Sequence, residues 1–337
     1  MVNAPGPVST GRREVLLSLI AVAVLSGGRT VTAEDMAAPL EAVQDRQTPP
    51  ILQVAGQDDG HGDASPQIRV DVIDQGTSSR RIRGGAIKAL PMQYLSAQHR
   101  QAANEILSSL SLYRRLPVIR CDVDPRVYGF FTTHPDVAVS IWRAMGISKL
   151  QMFQTGPNEY ESDLGDGTFG VITVLHRSRN SYLILCEGQF NSPLLTKPIQ
   201  SRALMHLQTS AGQDRNGQHY VTQQADLFVS FPSQTVDTIA RIVSPVSNRM
   251  ADKNFEEVSL FVRMMDVAMH RQPGWVEQIS QKLDGILPGS REKLLDVTSQ
   301  VYVDARRQAL REAGMPVSVD EVIPPVQVSA DATMDAM

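Results

Sequence analysis

The chain has 337 residues, 42% hydrophobic and 20% charged, enough apolar side chain to bury one sizeable core with tails. Its formal net charge of -4 leaves no basic field of the kind that gathers phosphates over a whole domain, which excludes nucleic acid as an expected partner. The one basic cluster, Arg80, Arg81 and Arg83, sits among Gly and Ser without periodicity and reads as solvated linker.

In chain order, a polar stretch to Gly11, the pair Arg12-Arg13, the apolar run Val15 to Leu25 and the small-residue site Val31-Thr32-Ala33 predict a signal peptide over residues 1–33. The apolar run is about half of what spans a bilayer as a helix. Cleavage after Ala33 is therefore expected, and an exported, extracytoplasmic product without a stable transmembrane segment. Gly11 to Leu16 resembles a twin-arginine signal in its arginine pair and Leu16; Gly11 and Val15 depart from that pattern and leave the ordinary secretory route open. Residues 34–91, with Pro49-Pro50, the run Gln57 to Asp63 and Gly84-Gly85, are poor in apolar residues and predict a flexible spacer. Within it Ile68, Val70 and Val72 alternate like a short strand.

From Ser96, Ala102, Ala103, Ile106, Leu107 and Leu110 recur at helical spacing until Arg114-Arg115-Leu116-Pro117, so residues 92–115 predict a docking helix. Val118 to Val123 reads as a strand. Asp124-Pro125 supplies an N-cap and a first-turn proline for a helix through Phe131, and His134-Pro135-Asp136 opens a second that ends at Gly146. Between 149 and 231, turn residues separate six apolar runs, at 149–155, 159–164, 168–177, 181–190, 202–210 and 218–231, which predicts an antiparallel meander. The connection Asn191 to Gln200 carries Leu194, Leu195 and Ile199, which could cover a cavity mouth or fold back on the core. Ser233 opens a long amphipathic helix to about Met269, which Pro245 should kink or split. Helices over Trp275 to Leu283 and Arg291 to Arg311 follow within 271–313, and residues 314–337 predict a disordered tail. Cys121 and Cys186, both in strand-like runs, permit a disulfide in an oxidising compartment without requiring one.

Strand, two short helices, six antiparallel strands and a long helix, with Asp124-Pro125, Gly165-Asp166-Gly167 and Pro245 to Met265 at the matching places, resemble the helix-grip fold of the START-like superfamily over residues 116–270. Ser244 to Met250 followed by Phe255-Glu256-Glu257-Val258 is similar to the C-terminal helix of coenzyme Q-binding and polyketide-cyclase members. The resemblance implies an α+β fold, a seven-stranded antiparallel sheet curved around the long C-terminal helix, with extra flanking helices. It also implies an apolar cavity between sheet and helix that takes a lipid or other apolar small molecule. Leu194, Leu195, Met250, Phe261 and Met265 are the expected contacts, thioethers being adaptable to irregular apolar ligands; no cofactor is implied.

The sequence holds no Gly-x-Ser-x-Gly, His-Glu-x-x-His, Cys-x-x-Cys or phosphate-binding glycine loop. What remains are isolated polar residues in apolar strands: His176, Glu187, His206 and Asp226. His176 or His206 with Asp226 could act as acid and base on a bound carbonyl, the chemistry of a cyclase, dehydratase or isomerase. Asp136 reads more simply as a first-turn acid that complements a helix dipole. His61 with Asp58, Asp59 and Asp63 lacks the regular ligand order of a hard-cation loop and is not a metal site. A binding protein, an enzyme on the same scaffold, and an envelope interaction protein filled by its own side chains are the three functional expectations.

Overall fold

The computed structural model describes residues 68–165, 167–190, 198–232 and 245–317. The expectations for the signal peptide, for the acidic run around His61, for Leu194 and Leu195, for the start of the long helix and for most of the tail lie outside these residues. In chain order the elements are β1 (Asp71–Asp74), α1 (Arg80–Lys88), a 3-10 turn (Met92–Tyr94), α2 (Ala97–Ser108), β2 (Leu112–Arg115), β3 (Val118–Cys121), α3 (Pro125–Thr133) and α4 (Pro135–Ala144). Six strands follow: β4 (Gln151–Gly156), β5 (Glu159–Asp163), β6 (Phe169–Arg177), β7 (Ser181–Phe190), β8 (Ile199–Gln213) and β9 (His219–Ser230). Helices α5 (Pro245–Arg271), α6 (Pro273–Ser280) and α7 (Ser290–Glu312) close the order.

Local chemistry sets the helix starts. Ser96 Oγ accepts from His99 N at 3.1 Å to cap α2, and the Asp124 carboxylate accepts from Arg126 N at 2.8 Å to cap α3, with Pro125 in the first turn. Gly146, at φ 71°, ends the α4 segment in the left-handed region that glycine occupies without strain.

The fold is α+β, and every strand pairing is antiparallel, in the order β1-β3-β9-β8-β7-β6-β5-β4. Nine strands are present among the described residues where seven were expected. The seven expected positions are all occupied, and the two additions have local causes. β1 lies in the stretch read as spacer and adds an edge beside β3. β2 and β3 pair with successive parts of β9, at Leu112–Arg115 and Ile119–Cys121, so they form one strand position interrupted at Leu116-Pro117, where proline lacks a donor. The Arg114-Arg115 pair therefore lies in a strand, and the helix before it stops earlier, at Ser108.

Both sheet faces are covered, in different ways. On the inner face, Ile119, Cys121, Ile184, Met205, Leu227 and Val229 belong to one core with α3, α4 and the long helix α5. On the outer face, Tyr113, Leu175, Leu183, Leu185, Leu204 and Phe228 pack under α1, the 3-10 turn and α2 through Ala86, Leu90, Leu95, Ala103 and Ile106. The spacer expectation for residues 68–91 is thus corrected. Few apolar residues suffice to order this segment because the sheet provides the rest of the buried surface. Arg114 crosses to the inner side and pairs with Asp252 of α5, and a Cβ on Gly76 would collide with both.

Cys121 and Cys186 are free and buried. Their strands are three positions apart in the sheet order, roughly 14 Å at the spacing of neighbouring strands, beyond the reach of a disulfide. Burial pushes both thiols up to about 12, so neither is a thiolate at neutral pH.

Candidate functional site

The three candidate catalytic residues lie on the outer face, away from α5. His206 and Asp226 are directly opposite one another across β8 and β9, and both are buried. Asp226 is fully engaged. Arg115 grips it through two bonds, Nε to Oδ1 at 2.9 Å and NH2 to Oδ2 at 2.8 Å, and the Tyr113 hydroxyl donates to Oδ1 at 2.6 Å. The Tyr113 phenol is raised by burial and then by that carboxylate. Its oxygen therefore stays protonated and keeps donating.

His206 Nε2 lies 2.9 Å from Ser181 Oγ, while Nδ1 is buried with no partner among the described residues. Burial lowers the affinity of this imidazole for a proton, with His176 and Arg115 adding to the effect and Asp226 opposing it. It is neutral at pH 7, and whichever tautomer it takes, one ring nitrogen goes unsatisfied. Serine, histidine and aspartate are thus neighbours, but the aspartate turns to Arg115 and Tyr113 and does not orient the imidazole. The leg that would make His206 an oriented base is missing. His176 stacks on Tyr94, with ring centroids 5.0 Å apart and planes at 13°. Glu187 pairs with Arg202 at 2.6 Å, and Arg202 reaches Glu105 of α2 at 2.9 Å, a pair of half-exposed bridges that pin the outer layer.

The described residues expected to touch a ligand are on the inner side. Phe261 and Met265 are fully buried and Met250 nearly so. Phe261 meets Phe131 at 5.5 Å and Trp142 at 5.1 Å, both edge-to-face, so α5 is locked to α3 and α4 through these rings inside the inner core. Beside them a buried chain runs from the Tyr128 hydroxyl to Gln223 Oε1 at 2.6 Å, then from Gln223 Nε2 to Ser259 Oγ, linking α3, β9 and α5. Among the described residues, a pocket at the sheet end, lined by Thr132, Tyr160, Val174, Arg177, Tyr182 and Ile184, measures about 20 Å³, room for a single water.

Asp136 takes the first-turn position expected of it. It is wholly buried there, and the backbone N–H groups of Val137 and of Asp136 itself favour its charged form without reaching full hydrogen-bond geometry. Burial raises its affinity for a proton, against the opposing pull of His134. A second buried acid, Asp266 on α5, is bonded: it accepts from the backbone N of Asp124 at 2.9 Å and pairs with Arg263 at 2.7 Å.

Sequence reasoning missed Tyr113, Arg115 and Ser181. The first two had no periodic signal: Leu112-Tyr113-Arg114-Arg115-Leu116 places two apolar residues before two charged ones and does not alternate. Ser181 had no signal, because its contact with His206 depends on the register of β7 against β8.

No family model matches the chain, and no curated protein matches it. Solved structures do match. A conserved protein from Geobacillus kaustophilus is 14% identical, covers 45% of this chain and 93% of its own, and has a TM-score of 0.30. Ara h 8.0201 is 11% identical, covers 44% of this chain and 96% of its own, at a TM-score of 0.27. Among the described residues, no helix is long and apolar enough to cross a membrane.

Proposed function

We propose that the protein is an exported, noncatalytic helix-grip protein whose interior is filled by its own side chains and which works through contacts at its surface. The observation that carries this reading is that, among the described residues, Phe131, Trp142 and Phe261 meet edge-to-face and the pocket at the sheet end measures about 20 Å³. Sites for small molecules usually occupy roughly 300 to 1,000 Å³. The catalytic alternative is weakened because His176, His206 and Asp226 lie under the outer layer, with Asp226 saturated by Arg115 and Tyr113. Native mass spectrometry of the mature protein, purified from its own compartment, tests the reading. A protein-only mass is expected. A stoichiometric apolar adduct would overturn it in favour of a lipid carrier.

A further inference from the structure

The outer surface has a step in it, and the two sides of the step carry opposite charge. The raised side includes α1. Arg80, Arg81, Gly84, Gly85 and Lys88 recur on one exposed helical face, and none of these cations forms an ion pair with a described residue. The two glycines have nothing within 4 Å of where a Cβ would stand. Each costs an isolated helix about 1 kcal/mol relative to alanine, so a smooth face is kept at the expense of stability. Such a face lets a flat surface approach the helix backbone closely.

The low side is the outer face of β4, β5 and the start of β6, where the helices of the outer layer do not reach. In register it carries Phe153, Glu161 and Val171 in one row and Asp163 and Phe169 in the next, with Glu159 beyond. Phe169 and Val171 are 50% and 38% exposed and form the open apolar part; Phe153, 39% exposed, lies at the sheet edge with its ring close to Gly285 between α6 and α7. Glu159, Glu161 and Asp163 are exposed and also lack an ion pair among the described residues. An apolar strip edged with carboxylates that have no ion pair among the described residues suits a partner that brings cations to its rim.

We infer that the molecule self-associates as a two-fold dimer in which the basic, glycine-smoothed face of α1 docks on the acidic and apolar face of β4 to β6 of a second copy. Both halves of the contact are present in one chain, so a two-fold axis makes it twice and closes the assembly. The raised layer of each copy fills the low side of the other. This inference rests on the reading of the protein as one that works through its surface.

Sedimentation of the full mature chain tests it. A dimer is expected at 0.1 M salt and weakens toward 1 M, as exposed ion pairs do when the screening length falls from about 10 to about 3 Å. Reversing the helix (Arg80→Glu with Arg81→Glu) or the sheet (Glu159→Lys with Glu161→Lys) should each weaken the dimer by at least about tenfold, or about 1.4 kcal/mol. Mixing the two variants should restore it, because in the mixed dimer every contact again joins opposite charges. Circular dichroism confirms that each variant is folded. A monomer at 100 µM, a dimer indifferent to both reversals, or a mixture that stays dissociated would overturn the inference. So would binding of phosphatidylserine vesicles through α1 without dimerisation, which assigns the basic face to a membrane. None of these results changes the ligand mass, so the packed-interior reading stands or falls separately.

Discussion

Two buried aspartates show how differently one residue type can be treated. Asp226 receives three hydrogen bonds from Arg115 and Tyr113, whereas Asp136 has only weak approaches from the Val137 and Asp136 backbone N–H groups. Burial raises the proton affinity of Asp136 in the folded chain above that of an unfolded aspartate, about 3.9. Its contribution to stability is therefore fully present below that pH and is lost as pH rises through the folded value. Asp136→Asn does not titrate, so its stability relative to the parent should improve between pH 4 and pH 7. Each tenfold difference in proton affinity is about 1.4 kcal/mol. Thermal midpoints of both proteins across that range measure it; a constant offset would show that Asp136 is solvated. The sequence placed Asp136 in a helical first turn but could not show whether that turn faces water, since burial is set by what packs over it.

At the scale of elements, the strand register was legible wherever turn residues bracket an apolar run. Gly156-Pro157-Asn158 and Arg179-Asn180 fix the hairpins, and Asp124-Pro125 fixes the start of α3. Less legible was where strands approach too closely for a side chain. Gly170 and Gly188 are directly opposite across β6 and β7, and a Cβ on Gly188 would collide with the Phe169 carbonyl and Gly170 Cα. Gly188→Ala is expected to cost about 1 to 3 kcal/mol through overpacking. By contrast, Gly129→Ala in α3 meets open space and should add about 0.5 to 1 kcal/mol. Urea unfolding of the two variants should move in opposite directions, and parallel shifts would contradict the close approach. The split between β2 and β3 was misread because helical spacing up to Leu110 carried the reading past Ser108, and Leu112-Tyr113-Arg114-Arg115 has no alternation to mark it as a strand.

For the whole molecule, the N-terminal segment from β1 to α2 is part of the fold. It covers Leu175, Leu183, Leu185, Leu204 and Phe228, which would otherwise meet water. A chain beginning at residue 111 should therefore bind a hydrophobic dye, aggregate on concentration and unfold at a lower urea concentration than the mature protein. A truncated chain as stable and soluble as the parent would show that the outer layer is an accessory. By itself the sequence determined the α+β class, the antiparallel meander, the helix pair after β3 and the helical character of residues 245–271, because these follow from local periodicity, caps and turns. Only the tertiary structure decided that His206 faces Asp226, that Arg115 takes that carboxylate, that Phe261 packs edge-to-face with Phe131 and Trp142, and that α1 belongs to the domain. Each of these depends on residues distant in the chain meeting across strand registers or helix faces, and periodicity within one segment carries no information about its partner in another.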